Sequence, residues 1–207
     1  MFCYKLGAVE NCHKLIFSKV FNIIVASVVN GAIVIIVSLI GLKKSGKTTC
    51  VEALVKEFKT RRMKVGTVKS MVHSKFTIDK EGKDTCRHQQ AGADFVISLS
   101  KNELAYIENR PRKGRLAEFM RLIPEDTSIL ICEGLEDTDP HIIRILVAKS
   151  TEFMAETFEV RGSQENVIAV TGIIANDIKD GIEYPVFNCT KAEDVRTLAN
   201  LILEKSV

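Results

Sequence analysis

The stretch Gly41-Leu42-Lys43-Lys44-Ser45-Gly46-Lys47-Thr48 matches the pattern G-x-x-x-x-G-K-[ST] and constrains the fold more than any other part of the chain. Such a loop wraps phosphate oxygens with main-chain N–H groups. It needs a buried strand to deliver it and a helix whose N-terminus adds a positive dipole end. Both flanks are present. Ile33–Ile40 (IVIIVSLI) is a continuous apolar, β-branched run, as expected of a parallel strand covered on both faces. Lys47–Thr60 carries Val51, Leu54, Val55 and Phe58 at helical spacing. In this setting Lys47 is expected to reach the β- and γ-phosphates of a nucleoside triphosphate and Thr48 to supply a hydroxyl to Mg2+. Gly41 and Gly46 allow close backbone approach, and Lys43, Lys44, Ser45 and Thr49 complete the expected cradle.

A phosphate loop of this kind also needs an acid at the end of a neighbouring strand to hold magnesium. Glu133 follows the apolar run Ser-Ile-Leu-Ile-Cys and is the expected residue, paired with Thr48 as the metal site. Asp84 and Asp79 compete for the metal or for a catalytic water, so Lys47, Glu133 and Asp84 form the expected catalytic set. Between Lys69 and Ala93 the chain packs Lys69, His73, Asp79, Lys83, Asp84, Arg87 and His88 close together. By composition alone that segment reads as well as a solvated charged loop as it does as a site.

Strand and helix signals alternate along the remainder. Met63–Val68, Asp94–Ser100, Ser128–Cys132, His141–Ala148 and Val167–Thr171 read as strands, with Leu104–Ile107 a partner for the second and Pro185–Asn188 a short addition. Lys83–Ala91 and Ala192–Glu204 read as helices, and Thr151–Gln164 is ambiguous. Pro111 suits the first turn of a helix running to Ile123, with Leu116, Phe119, Met120 and Ile123 on its apolar face. The alternation predicts a three-layer α/β fold of the P-loop nucleotide-binding type with a mostly parallel central sheet.

A chain of 207 residues has room for one such domain, expected over residues 33–207. Residues 1–32 are an extension that suits an added element, a weak membrane anchor, or upstream sequence translated from a start assigned too early; the last is the reading adopted. The uncharged run Val20–Leu42 is long enough for a membrane span. Its final part is needed as the strand before the phosphate loop, which argues against membrane attachment. A net charge of +3, with no basic stripe interleaved with aromatics, argues against nucleic acid. Six scattered cysteines, none in a C-x-x-C pair, fit a reducing cytoplasm and act as small buried hydrophobes.

Four further blocks accompany the phosphate loop: Gly66-Thr67-Val68-Lys69, Asp79 to Thr85 (DKEGKDT), Ala91-Gly92-Ala93 and Ile131 to Leu135 (ICEGL). Together they resemble the MobB family of molybdopterin-guanine dinucleotide biosynthesis, over about Val34 to Val147. The resemblance implies a GTP-binding adaptor that uses Mg2+ and hydrolyses GTP slowly. It also implies a MobA-like guanylyltransferase as partner, contact with molybdopterin-bearing proteins, and a homodimer. Lys69 and Lys83 fall on family motif positions and join the expected cofactor-binding set. His73, Asp79, Gly82, Asp84, Thr85, Glu133 and Gly134 also fall on motif positions, with His73 read as a hydrogen-bonding loop residue rather than a ligand. Two positions depart from the pattern: Ser70 stands where the family has its first histidine, and Glu81 where it has a proline. Guanine preference comes from the resemblance, since no N-K-x-D motif is present. Asn176-Asp177 is a possible substitute, with a carboxylate to accept from guanine N1 and N2, or else a plain turn.

The competing reading is a small-molecule kinase on the same phosphate loop, clamping its acceptor with Lys69, Lys83 and Arg87. A GTPase metallochaperone ranks below both, because no His/Cys-rich metal motif is present.

Overall fold

A computed structural model of the chain describes residues 27–29, 32–74, 77–161, 165–176 and 181–206. In chain order the strands are β1 (Ser27–Val29), β2 (Ala32–Ile40), β3 (Val65–Lys69), β4 (Phe95–Leu99), β5 (Leu104–Glu108), β6 (Ile129–Glu133), β7 (Ile142–Val147) and β8 (Val167–Thr171). The α-helices are α1 (Lys47–Thr60), α2 (Asp84–Gln90), α3 (Thr151–Arg161) and α4 (Ala192–Lys205).

The central sheet runs β3-β6-β2-β7-β8 with every pairing parallel, and β1 adds antiparallel to the start of β2. β2 is therefore flanked on both sides, which explains its unbroken apolar run. Val37 and Leu39 face one layer with Ile131 and Ile145, against Leu54 and Phe58 of α1 and Leu198 and Ile202 of α4. Val34 and Ile36 face the other with Leu130, Cys132 and Ile142. Burial on both faces is what removes the polar alternation from the sequence.

That second face is covered differently from the sequence expectation. No α-helix runs from Pro111 to Ile123; two short 3-10 turns, Leu116–Glu118 and Met120–Leu122, take its place. The apolar residues named for the helix still face the core, Leu116 and Ile123 buried and Phe119 and Met120 packed against them. A helix from Pro111 would aim the Leu116 N–H at the Arg112 carbonyl, and here that donor is taken elsewhere. The Leu116 N–H donates to Asp137 Oδ2 at 2.6 Å and the Lys113 N–H to Glu118 Oε1 at 2.9 Å.

α3 resolves the ambiguous segment up to Arg161, setting Met154 and Phe158 against Ile40, Leu146 and Val170. The Pro185–Asn188 strand reduces to a single parallel bridge, Val170 to Val186. β4 and β5 form a separate antiparallel pair, off the main sheet. Among the described residues no helix is long and apolar enough to cross a membrane. Cys3, Cys12 and part of the Val20–Leu42 run (residues 20–26, 30 and 31) lie outside the described residues, as does Asp177.

Candidate nucleotide site

All five parallel strands end on one edge, and the loops leaving that edge build the site. The loop after β2 is held against the end of β7. A side-chain carbon at Gly41 would stand 2.1 Å from the Val147 carbonyl oxygen, so this position admits glycine alone. Gly46 caps α1, and its carbonyl takes the first helical hydrogen bond, from the Cys50 N–H at 3.1 Å. The N–H groups of Thr48 and Thr49 lie in the first turn, where a helix supplies no acceptor of its own. These N–H groups, on a positive dipole end, are what an anionic phosphate needs. The Lys47 ammonium folds over the loop and donates to the carbonyls of Gly41 at 2.8 Å and Leu42 at 2.6 Å.

Glu133 closes the site from the end of β6. The register pairs Leu39 with Glu133 and Glu133 with Lys69, so three strand ends place their residues side by side. The Thr48 hydroxyl donates to the Glu133 carboxylate at 3.1 Å, and Lys69 makes an ion pair with the same carboxylate. Glu133 is only 8% exposed. A hydroxyl facing a buried carboxylate is the hard-oxygen set that Mg2+ accepts, and the geometry fits the pairing expected of Thr48 and Glu133.

Gly41, Lys43, Lys44, Lys47, Lys69, His73, Glu133 and Gly134 line one cavity of about 450 Å3. Four lysines against one glutamate make it a place for a polyanion. His73 sits on its rim, exposed, 3.2 Å from Glu136 Oε1, so it tethers the loop after β3 to the loop after β6. Lys83 and Asp84 stand elsewhere, exposed at the start of α2, where Asp84 pairs with Arg87 at 3.6 Å. Asp79 accepts from the Thr85 hydroxyl at 2.9 Å and lines a different groove. The Asp79–Thr85 block is thus gathered by its own hydrogen bonds and away from the cavity lining. Among the described residues no cluster of three His, Cys, Asp or Glu side chains is placed to hold a metal by itself.

In the loop after β8 the sequence points to Asn176-Asp177 but not to Gly172 and Ile173, which hold the phosphate loop. The Ile173 N–H donates to the Ser45 carbonyl at 3.2 Å, and a side chain on Gly172 would meet that oxygen at 2.6 Å. Its signal was Thr171-Gly172 at a strand end, the same grammar that marks Ile40-Gly41. Cys50 and Cys132 are fully buried, as their apolar contexts implied. Burial pushes the Cys132 thiol up to about 12.

Comparison with known proteins bears on this geometry directly. The family model described as MobB, molybdopterin guanine dinucleotide synthesis protein B, matches residues 36–172. The chain belongs to the MobB family. That span holds the phosphate loop, Lys69, Glu133 and Gly172. A Haemophilus influenzae protein named molybdopterin-guanine dinucleotide biosynthesis adapter protein is 30% identical over 105 residues. The match takes in 49% of this chain and 57% of that one, so the chain spans little more than half of the adapter's length. Among solved structures, Bacillus subtilis MobB superposes with a TM-score of 0.64 at 22% identity, covering 80% of this chain and 96% of that one. A MobB homolog from Bacillus stearothermophilus gives 0.58 at 21% identity, covering 82% and 98%. At these identities the structural likeness is one of fold, and it supports the α/β architecture with a mostly parallel sheet.

Proposed function

We propose that this MobB-family chain is a GTP-binding accessory protein of molybdenum or tungsten cofactor biosynthesis. It supports a MobA-like guanylyltransferase in forming molybdopterin-guanine dinucleotide, and molybdopterin-bearing proteins are its further candidate contacts. The observation that carries the nucleotide part is the convergence of Thr48, Lys69 and buried Glu133 on a glycine-shaped phosphate loop. In this reading Lys47 and the N–H groups of Gly41–Thr49 hold the triphosphate, and Thr48 and Glu133 hold Mg2+. The ion neutralises phosphate charge when bound.

Hydrolysis is expected to be slow. Among the residues lining the cavity there is no glutamine to orient water and no arginine to stabilise charge on the γ-phosphate. The kinase reading asks Lys69, Lys83 and Arg87 to clamp an acceptor. Only Lys69 lines the cavity, which supports the adaptor over the kinase.

A homodimer is part of the proposal, and the β4–β5 pair supports it. Cross-strand partners Ile97 and Tyr106, and Leu99 and Leu104, share one face with Phe95. Leu99 is 76% exposed and Leu104 68%. A two-stranded sheet showing such a face to water is marginal by itself, and a second copy of the same face would cover it. Placing Asp at both Leu99 and Leu104 is expected to give monomers by sedimentation if this face joins two copies.

The deciding experiment measures binding of guanine and adenine triphosphates, with Mg2+, to the wild type and Lys47→Ala. Guanine is expected to be preferred, and Lys47→Ala to lose triphosphate binding. Equal affinity for GTP and ATP would undercut the guanine part of the proposal. A single-turnover rate above about one per second, at the low end of ordinary enzymes, would sink the adaptor reading.

A further inference from the structure

A second cavity, of about 100 Å3, opens beside the first turn of α1 and shares no lining residue with the lysine-rich one. Gly46 and Thr49 form one side, and Ile173, Asn176, Asn188 and Thr190 the others. None of its lining residues is charged. It is joined to the phosphate loop through the bond from the Ile173 N–H to the Ser45 carbonyl. Whatever occupies it is therefore fixed relative to the phosphates.

The hydrogen bonds around Asn188 settle which way the amides point. Asn188 is 6% exposed. Its side-chain oxygen accepts from the Thr190 N–H at 2.9 Å and from the Thr190 hydroxyl at 2.7 Å. A main-chain N–H can only donate, so that atom is the oxygen and the other is the amide nitrogen. The nitrogen then donates to Asn176 Oδ1 at 2.9 Å. Asn176, exposed at the cavity, is left with its own amide nitrogen as the group on offer, a donor with no acceptor among the described residues. Asp194 braces the arrangement by accepting from the Asn188 N–H at 2.8 Å. Ile173, 46% exposed, adds an apolar surface against which a flat ring can lie.

We propose that this cavity holds the purine base, with Asn176 donating to a 6-oxo group and Asn188 acting as the residue that positions it. The inference rests on the nucleotide-binding reading and specifies how that site selects its base. A 6-oxo purine presents an acceptor where adenine presents an amino donor. A fixed donor therefore favours the first and leaves an unmatched pair with the second.

Equilibrium binding of GTP, ITP and ATP with Mg2+ tests it on the wild type, Asn188→Ala, Asn176→Ala and Asn176→Asp. ITP carries the 6-oxo group without the 2-amino group. Wild type is expected to bind GTP and ITP alike, each about tenfold more tightly than ATP. Either alanine variant is expected to remove that preference and leave ATP binding nearly unchanged. Asn176→Asp replaces the donor by an acceptor and is expected to shift preference toward ATP. Because Asn176 is exposed, its variants keep the test usable if Asn188→Ala does not fold. Tight GTP with weak ITP, or a preference that survives Asn176→Ala, overturns the assignment. A guanine preference that survives Asn176→Ala overturns this inference alone, wild-type triphosphate binding without base preference overturns the guanine part of the underlying reading with it, and absence of all triphosphate binding overturns that reading whole.

Discussion

The Thr48 hydroxyl and the Glu133 carboxylate, 85 positions apart in the chain, meet at 3.1 Å across the edge of the sheet. One belongs to the first turn of α1 and the other to the end of β6, and the parallel pairing of β2 with β6 brings them into reach. Lys69 holds the same carboxylate from β3.

Glu133→Gln keeps the size and removes the charge. The gain in GTP affinity that Mg2+ brings is expected to shrink by about tenfold, since a neutral amide is a weaker ligand for a hard cation. Affinity in EDTA is expected to be unchanged or higher, because Lys69 is released toward the phosphates. Titration calorimetry in both conditions separates the two effects, and an equal loss in each would count against a metal role.

Gly41→Ala places a methyl group 2.1 Å from the Val147 carbonyl oxygen, which belongs to the backbone and cannot swing aside. The loop must shift away from β7. A cost of about 3 kcal/mol in urea unfolding is expected, at the upper end for overpacking, together with loss of triphosphate binding. Retention of wild-type stability would mean that the loop end is not packed as described.

Arg144 lies in the middle of the sheet at 3% exposure, and its guanidinium donates to the carbonyls of Glu165 at 3.0 Å and Asp139 at 3.2 Å. Burial lowers its pKa, while Asp137, Glu165 and Asp139 oppose that shift. Arg144→Met fills similar space and strips those carbonyls of their donor. A loss of about 2 kcal/mol or more is expected by chemical denaturation. A change under half a kilocalorie would show that water replaces the guanidinium without cost.

Cys132 gives an alkaline signature. Its thiol is raised by burial from 9.0 to about 12 in the folded chain. Above pH 9 the unfolded chain loses this proton and the folded chain keeps it, so stability falls as pH rises through that window. The slope is about 1.4 kcal/mol per pH unit from this group. Cys132→Ala is expected to flatten that part of the stability profile between pH 9 and 11, though a cavity lowers its overall level. An unchanged slope would assign the alkaline loss to other groups.

The parts legible in the sequence are those governed by short-range rules. Ile33–Ile40, Gly41–Thr48 and Lys47–Thr60 are read directly, because a doubly buried strand, a glycine turn and an amphipathic helix each leave a local pattern. Glu133 is legible through its place after a buried strand. The turns at Leu116 and Met120 are not, because the donor that ends the helix expectation is spent on Asp137, twenty-one residues away from Leu116. Asn188 is hidden for the same reason. Its value depends on Asn176 and Asp194, which meet it only after the loop at β8 and the start of α4 are in position.

Every strand of the parallel sheet hands one residue to the same edge: Gly41, Lys69, Glu133, Val147 and Thr171. A molecule bound along that edge acts as a hem, fastening five ends with one seam. Slower hydrogen exchange should then spread through the whole sheet on ligand addition, reaching amides at the far ends of β6 and β7 that the ligand never touches.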